Sequence, residues 1–180
     1  VCAYAELAGM FDAEAPRRTA VCIFADKEEI GSEGVSGMLS AAFDKFMGEL
    51  CDAQGVALRD CFANSFCVSA DVTAAYDPNF ADVYDKRNAA FINYGVGLCK
   101  YTGAGGKSGA SDASAEVVGK LRRLLNEENV FWQMSELGKT DAGGGGTVAK
   151  YMANRNIETV DAGVPVLSMH APYETVAKLD

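Results

Sequence analysis

Thr19-Ala20-Val21-Cys22-Ile23-Phe24-Ala25-Asp26-Lys27-Glu28-Glu29-Ile30-Gly31-Ser32 joins a short, β-rich apolar run to an acidic loop. Residues 19–25 have the composition of a buried strand. Beyond the loop, Val35, Met38, Leu39, Ala42, Phe43, Phe46, Met47 and Leu50 recur at intervals of three and four. That spacing predicts a helix from about Gly34 with one buried face. A strand that passes through a loop into an amphipathic helix is the building unit of α/β proteins.

The pattern repeats outward from this unit. Residues 64–72 read as a second strand ending in Asp71, and Asp77-Pro78-Asn79 as a turn. A third strand is expected over 91–99, followed by a glycine-rich loop from Gly103 to Gly109. Ser111-Asp112 can cap a helix over 113–125. A strand over 130–134 precedes the run Gly143–Gly146, which leads into a helix over 147–153. Two short strands follow, over 157–160 and 164–167, interrupted by Asp161-Ala162-Gly163. A last helix is expected after His170, with Pro172 in its first turn. The opening Val1-Cys2-Ala3-Tyr4-Ala5-Glu6-Leu7 reads as the interior of a helix. The fold class expected is α/β, a mixed β-sheet sandwiched by helices in one domain.

Composition narrows the function. The formal net charge is −9 with a single histidine. An acidic balance argues against nucleic acid and against anionic membrane surfaces as partners. The six cysteines form no C-x-x-C pair and sit partly inside apolar runs, as Cys22 does in Val21-Cys22-Ile23-Phe24. They read as reduced thiols of a cytoplasmic protein. No apolar run reaches transmembrane length.

Three segments carry candidate chemistry. Glu28 and Glu29 follow a predicted strand directly, at the sheet edge where α/β proteins bind ligands. Neighbouring carboxylates in a loop can point apart, so that one binds a metal and the other handles a proton. Alone, the pair also reads as a solvated acidic loop. Asp71 ends an apolar strand, where a lone carboxylate is costly unless paired or metal-bound, or else caps a turn. His170 stands at another strand end; a lone histidine is more often structural, but oxygen and nitrogen donors together suit zinc, cobalt or manganese. Gly105-Gly106-Lys107-Ser108 invites a phosphate-loop reading, which fails because Tyr101 stands where the first glycine of that motif belongs. The run Gly143–Gly146 before Thr147 is either a flexible turn or an anion-binding turn at a helix N-terminus.

Asp26-Lys27-Glu28-Glu29-Ile30-Gly31-Ser32 resembles the D-x-E-E-[IV]-G-S motif of the aspartyl aminopeptidase and vacuolar aminopeptidase I family. Asp71-Val72-Thr73-Ala74-Ala75-Tyr76-Asp77-Pro78-Asn79-Phe80 is similar to that family's D-x-x-x-x-x-x-P-N-[YF] segment. Gly144-Gly145-Gly146-Thr147 matches its glycine-threonine turn. Asp161-Ala162-Gly163-Val164-Pro165-Val166-Leu167-Ser168-Met169-His170 resembles D-x-G-x-P-x-L-S-M-H. The four motifs stand in order along nearly the whole chain.

The resemblance implies a metallo-aminopeptidase that removes N-terminal residues from peptides with two divalent ions, usually zinc. It implies Glu28 as general base, Glu29, Asp71 and His170 as metal ligands, and Lys100, Gly145 and Gly146 near the substrate. It implies a homo-oligomer. It also aligns the chain with the C-terminal part of the catalytic domain, residues 1–180, without the dimerisation domain. The family's early histidine and bridging aspartate precede the part that matches Val1. A chain of this span is therefore expected to hold one metal ion or none, and to be inactive or nearly so alone. Ala74 and Tyr76 stand in a stretch where eukaryotic members have histidines tied to acidic specificity, so the motifs look bacterial. Two other readings compete with the peptidase. One is a non-catalytic subunit or interaction domain that keeps the fold. The other is a related deacylase, which would need an acyl pocket instead of a group that holds a free amine.

Overall fold

A computed structural model describes residues 1–104, 108–139 and 141–180. The chain opens with helix α1 (Cys2–Asp12), as its first residues lead one to expect, and continues through α2 (Ala42–Gln54) and α3 (Leu58–Ala63) into β1 (Phe66–Ser69) and β2 (Thr73–Ala74). Strands β3 (Val96–Cys99), β4 (Tyr101–Ala104) and β5 (Ser108–Asp112) lead to α4 (Ala115–Glu127) and β6 (Trp132–Met134). Then come β7 (Gly144–Gly145), α5 (Ala149–Ala153), β8 (Glu158–Gly163), β9 (Pro165–Leu167) and β10 (Thr175–Val176).

The main sheet has the order β1-β8-β3-β6. Its outer pairs are parallel and the central β8–β3 pair antiparallel, so the sheet is mixed as expected. Helices cover both faces. Val68 pairs with Val160 and Cys67 with Thr159, so Val160 and Cys67 point to opposite faces. Val160 packs with Leu98, Val117, Val118 and Leu121 under α4. Cys67 packs against Met38, Met47, Phe62, Met152 and Ile157, which belong to the layer of α2, α3 and α5. Burial of these two clusters supplies the main favourable free energy of the fold.

Several elements differ from their sequence patterns. Residues 19–25 are extended but form no strand, because no described segment hydrogen-bonds along them. The helix expected at Gly34 begins at Ala42. Ser32 and Gly34 take positive φ, and a Cβ on Gly37 would lie 2.1 Å from the Ser32 carbonyl oxygen, so 31–41 turns tightly instead. Val35 is correspondingly exposed. The third strand begins at Val96, after positive-φ turns at Asn93 and Gly95 whose backbone N–H groups donate to the Asp180 carboxylate. The described ends of the glycine-rich loop, 103–104 and 108–109, belong instead to an antiparallel pair, β4 with β5. The rejected phosphate-loop stretch includes residues 105–107, which lie outside the described residues. The cap of α4 is Ser114, whose hydroxyl accepts from the Val117 N–H, in place of Ser111-Asp112. Strand β8 runs unbroken through Asp161, Ala162 and Gly163.

The last helix does not form either. Ser168 and His170 adopt left-handed backbone angles (φ 60° and 65°), which reverse the chain so that β10 pairs antiparallel with β9. The His170 N–H donates to the Glu174 carboxylate at 2.6 Å.

Gly163 shows how tightly the end of β8 meets the strand end opposite. A Cβ there would sit 1.5 Å from the Asp71 carbonyl oxygen. Gly163→Ala is expected to force the two segments apart and to destabilise the chain by about 1–3 kcal/mol, measured by chemical denaturation.

Candidate active site

Three separate loops bring four of the expected side chains to one end of the main sheet. Glu28 and Glu29 lie in a single 3₁₀ turn bounded by Lys27 and Gly31, both with positive φ. Lys27 pays a conformational penalty that glycine would not. Asp71 lies just past β1, and His170 just past β9. Glu29 and His170 approach each other, with Nδ1 to Oε2 at 3.8 Å. Both remain well exposed.

The electrostatics join the set. Burial raises the Glu28 carboxyl above its ordinary range; the charges of Asp71 and Glu29 add to that, and His170 offsets it. Asp71 is raised by burial and by Glu29, with the Val72 N–H and His170 pulling the other way. Crowded carboxylates with little positive charge among them are the environment a divalent cation relieves. The donor set of carboxylate oxygens and one imidazole nitrogen fits zinc. Among the described residues, however, no three histidine, cysteine or acidic side chains are close enough to hold an ion as they stand. Glu29 and His170 form a preset pair, not a closed shell.

Glu28, Glu29 and Asp71 border a cleft of about 960 Å³ whose walls also include Val21, Cys67 and Ser69. Lys100, Gly145 and Gly146 are not among its lining residues. Lys100 forms an ion pair with Asp112. Gly145 pairs with Gly103 in the β4–β7 ladder, and a Cβ on Gly144 would lie 1.9 Å from the Gly103 carbonyl oxygen. This gives part of the glycine run a packing purpose, close approach of two backbones. Around Gly146 the space is open.

Asp161 was not singled out as a functional residue by sequence reasoning. It is almost fully buried, and its Oδ1 has no hydrogen-bond partner among the described residues; the same holds for Ser69 Oγ. Burial, with the Asp71 charge adding to it, pushes its carboxyl up to about 7 against the opposing pull of the nearby Thr147 and Ser69 hydroxyls and the Ala162 N–H. Its place inside the D-x-G-x-P motif was the available signal, but burial of an aspartate in mid-strand is not written in its neighbours.

Comparison with known proteins gives the same picture over the whole length. The family described as Aminopeptidase I zinc metalloprotease (M18) matches residues 1–180. A probable M18 family aminopeptidase 1 of Borreliella afzelii is 44% identical, over all of this chain and 41% of its own length. The crystal structure of aminopeptidase I from Clostridium acetobutylicum superposes with a TM-score of 0.93 at 42% identity, covering 99% of this chain and 39% of that one. The S. cerevisiae mApe1 dodecamer matches with a TM-score of 0.62 at 28% identity, covering 81% of this chain and 31% of that one. The chain thus spans about two fifths of the length of the bacterial relatives it matches.

The raised Asp161 carboxyl has a consequence for stability. Its folded-state value of about 7 lies above the ordinary 3.8, so between those values the folded state binds more protons than the unfolded one. Stability should therefore fall as pH rises through that window. Asp161→Asn is expected to flatten this fall and to raise Tm at pH 8 by roughly 2–4 °C, a gain that vanishes near pH 4, as followed by thermal melts across pH.

Proposed function

This chain belongs to the aminopeptidase I zinc metalloprotease (M18) family, and from that premise we propose that it is part of the metal-binding catalytic domain of a peptidase that hydrolyses the N-terminal bond of peptides. The observation that carries the reading is the convergence of Glu28, Glu29, Asp71 and His170 from three loops, with the Glu29–His170 pair at 3.8 Å. In this reading Glu29, Asp71 and His170 hold zinc. A divalent cation there supplies Lewis acidity toward a water and toward the scissile carbonyl.

Glu28 performs the proton chemistry. It is adjacent in sequence to a ligand but more shielded from solvent than Glu29. A carboxyl raised above its ordinary range is a better general base than an ordinary glutamate. It takes the proton of the attacking water and delivers it to the nitrogen of the departing amine as the C–N bond breaks. Lys100 reaches an acidic substrate side chain only if its ion pair with Asp112 opens. The six free cysteines fit a reducing, cytoplasmic setting. The dodecameric mApe1 supports a homo-oligomer for the longer protein, and a second metal ion belongs to the same proposal.

The test is a chimera in which this chain replaces the matching two fifths of the C. acetobutylicum aminopeptidase. With zinc it is expected to release N-terminal residues from unblocked peptides and to leave N-acetylated ones intact. Glu28→Gln should lower kcat by about 10²–10⁴-fold while zinc content stays unchanged. Full activity in that variant would remove Glu28 from the mechanism, and preference for acylated substrates would favour a deacylase.

A further inference from the structure

Asp161 lies behind the cleft wall and is not one of its lining residues. Val160 faces α4, so Asp161, the next residue of β8, points to the opposite face, where α5 packs against β8 and β1. Its direct partners in the sheet are Ser69 on β1 and Cys99 on β3. Cys99 is already engaged: its thiol meets the Ser135 hydroxyl at 2.8 Å and the Thr73 hydroxyl at 3.6 Å. Asp161 is left with Ser69 and, from the turn before α5, Thr147. All three are only 4% exposed, so water does not satisfy them.

Among the described residues, Asp161 Oδ1 and Ser69 Oγ have no hydrogen-bond partner. A buried carboxylate oxygen and a buried hydroxyl on directly paired residues are costly apart and satisfy each other when the hydroxyl donates. Thr147 complements them. Its Oγ1 accepts from the Ala149 N–H at 3.2 Å, which leaves its own proton to be donated. Burial raises the Asp161 carboxyl, and the Thr147 hydroxyl exerts the strongest of the pulls against that rise.

The two hydroxyls belong to different pieces of the site. Ser69 stands two residues before Asp71, and Gly163, two residues beyond Asp161, meets the Asp71 carbonyl too closely to admit a Cβ. Thr147 ends the glycine run, and the next residue, Val148, lines the cleft together with Ser69, Ala70 and Asp71. We propose that Asp161 is a positioning residue: by accepting from the Thr147 and Ser69 hydroxyls it clamps the glycine-threonine turn to the loop of Asp71, and so sets the peptide-binding wall against the metal ligands. The effect of the clamp on catalysis rests on the peptidase reading above, whereas the clamp itself is a property of packing.

The chimera described above provides the test. Asp161→Asn keeps an oxygen for Thr147 and offers an amide N–H to Ser69; Asp161→Leu keeps similar volume and offers neither. Per zinc-loaded site, kcat is expected to stay within about twofold in Asp161→Asn and to fall about tenfold or more in Asp161→Leu and in Thr147→Val, with KM moving less. The Asp161→Leu, Thr147→Val double variant should be no worse than Asp161→Leu, since both remove one link. In hydrogen–deuterium exchange, amides of 143–148 and 69–72 should exchange about tenfold faster in Asp161→Leu, with those of α4 unchanged. Thr147→Val, the milder substitution, should speed 143–148 in the same way. Full kcat per site in Asp161→Leu, an Asn variant as impaired as the Leu variant, or losses that multiply in the double variant would each overturn the proposal. So would exchange that rises in neither segment, or equally throughout the chimera. The expected exchange pattern in a chimera without peptidase activity would support the clamp and count against the peptidase reading.

Discussion

Negative charge collected at one end of the sheet is the constraint on which the other features depend. Burial and the charge of Glu29 raise the proton affinity of both Glu28 and Asp71, Asp71 raises that of Glu28 further, and the exposed His170 imidazole offsets both shifts. A protein that gathers carboxylates in this way loses stability unless something positive binds them. The fold spends several specific arrangements to hold them there. Lys27, Ser168 and His170 sit in left-handed conformations in the loops that carry the ligands. Gly163 lets β8 press against the Asp71 carbonyl. Asp161 is buried close enough to Asp71 to feel its charge.

The sheet explains why these loops meet. Parallel pairing of β1 with β8 brings Asp71 against Gly163 at the end of β8, and β9, parallel to β2, carries the chain on to His170. The extended segment 19–25 leads into the turn that delivers Glu28 and Glu29. The site is thus a property of strand direction rather than of any one loop, in line with ligand sites at the carboxyl ends of strands in α/β proteins.

Much of this was legible from residue patterns because it is local or periodic. The helix that becomes α4, the apolar runs of β1, β3 and β6, and the motifs around the four candidate site residues are all carried by neighbouring residues. What was not legible depends on distant partners. A strand needs a partner, and residues 19–25 have the right composition but no neighbour to bond with among the described residues. The turn 31–41 is set by how close Gly37 must come to Ser32, which periodicity does not reveal. The reversal at His170 depends on left-handed backbone angles at two non-glycine residues, where Pro172 suggested a helix start. Burial of Asp161 is a result of sheet order, and its mid-strand aspartate looked instead like a break between two strands.

Zinc X-ray absorption on the zinc-loaded chain tests the central claim most directly, because six free cysteines offer the metal a competing set of donors. The account predicts a first shell of oxygen and nitrogen only, at about 2.0–2.2 Å, that is lost in Glu29→Ala and in His170→Ala. A shell containing sulfur at about 2.3 Å, or one unchanged by either substitution, would contradict it.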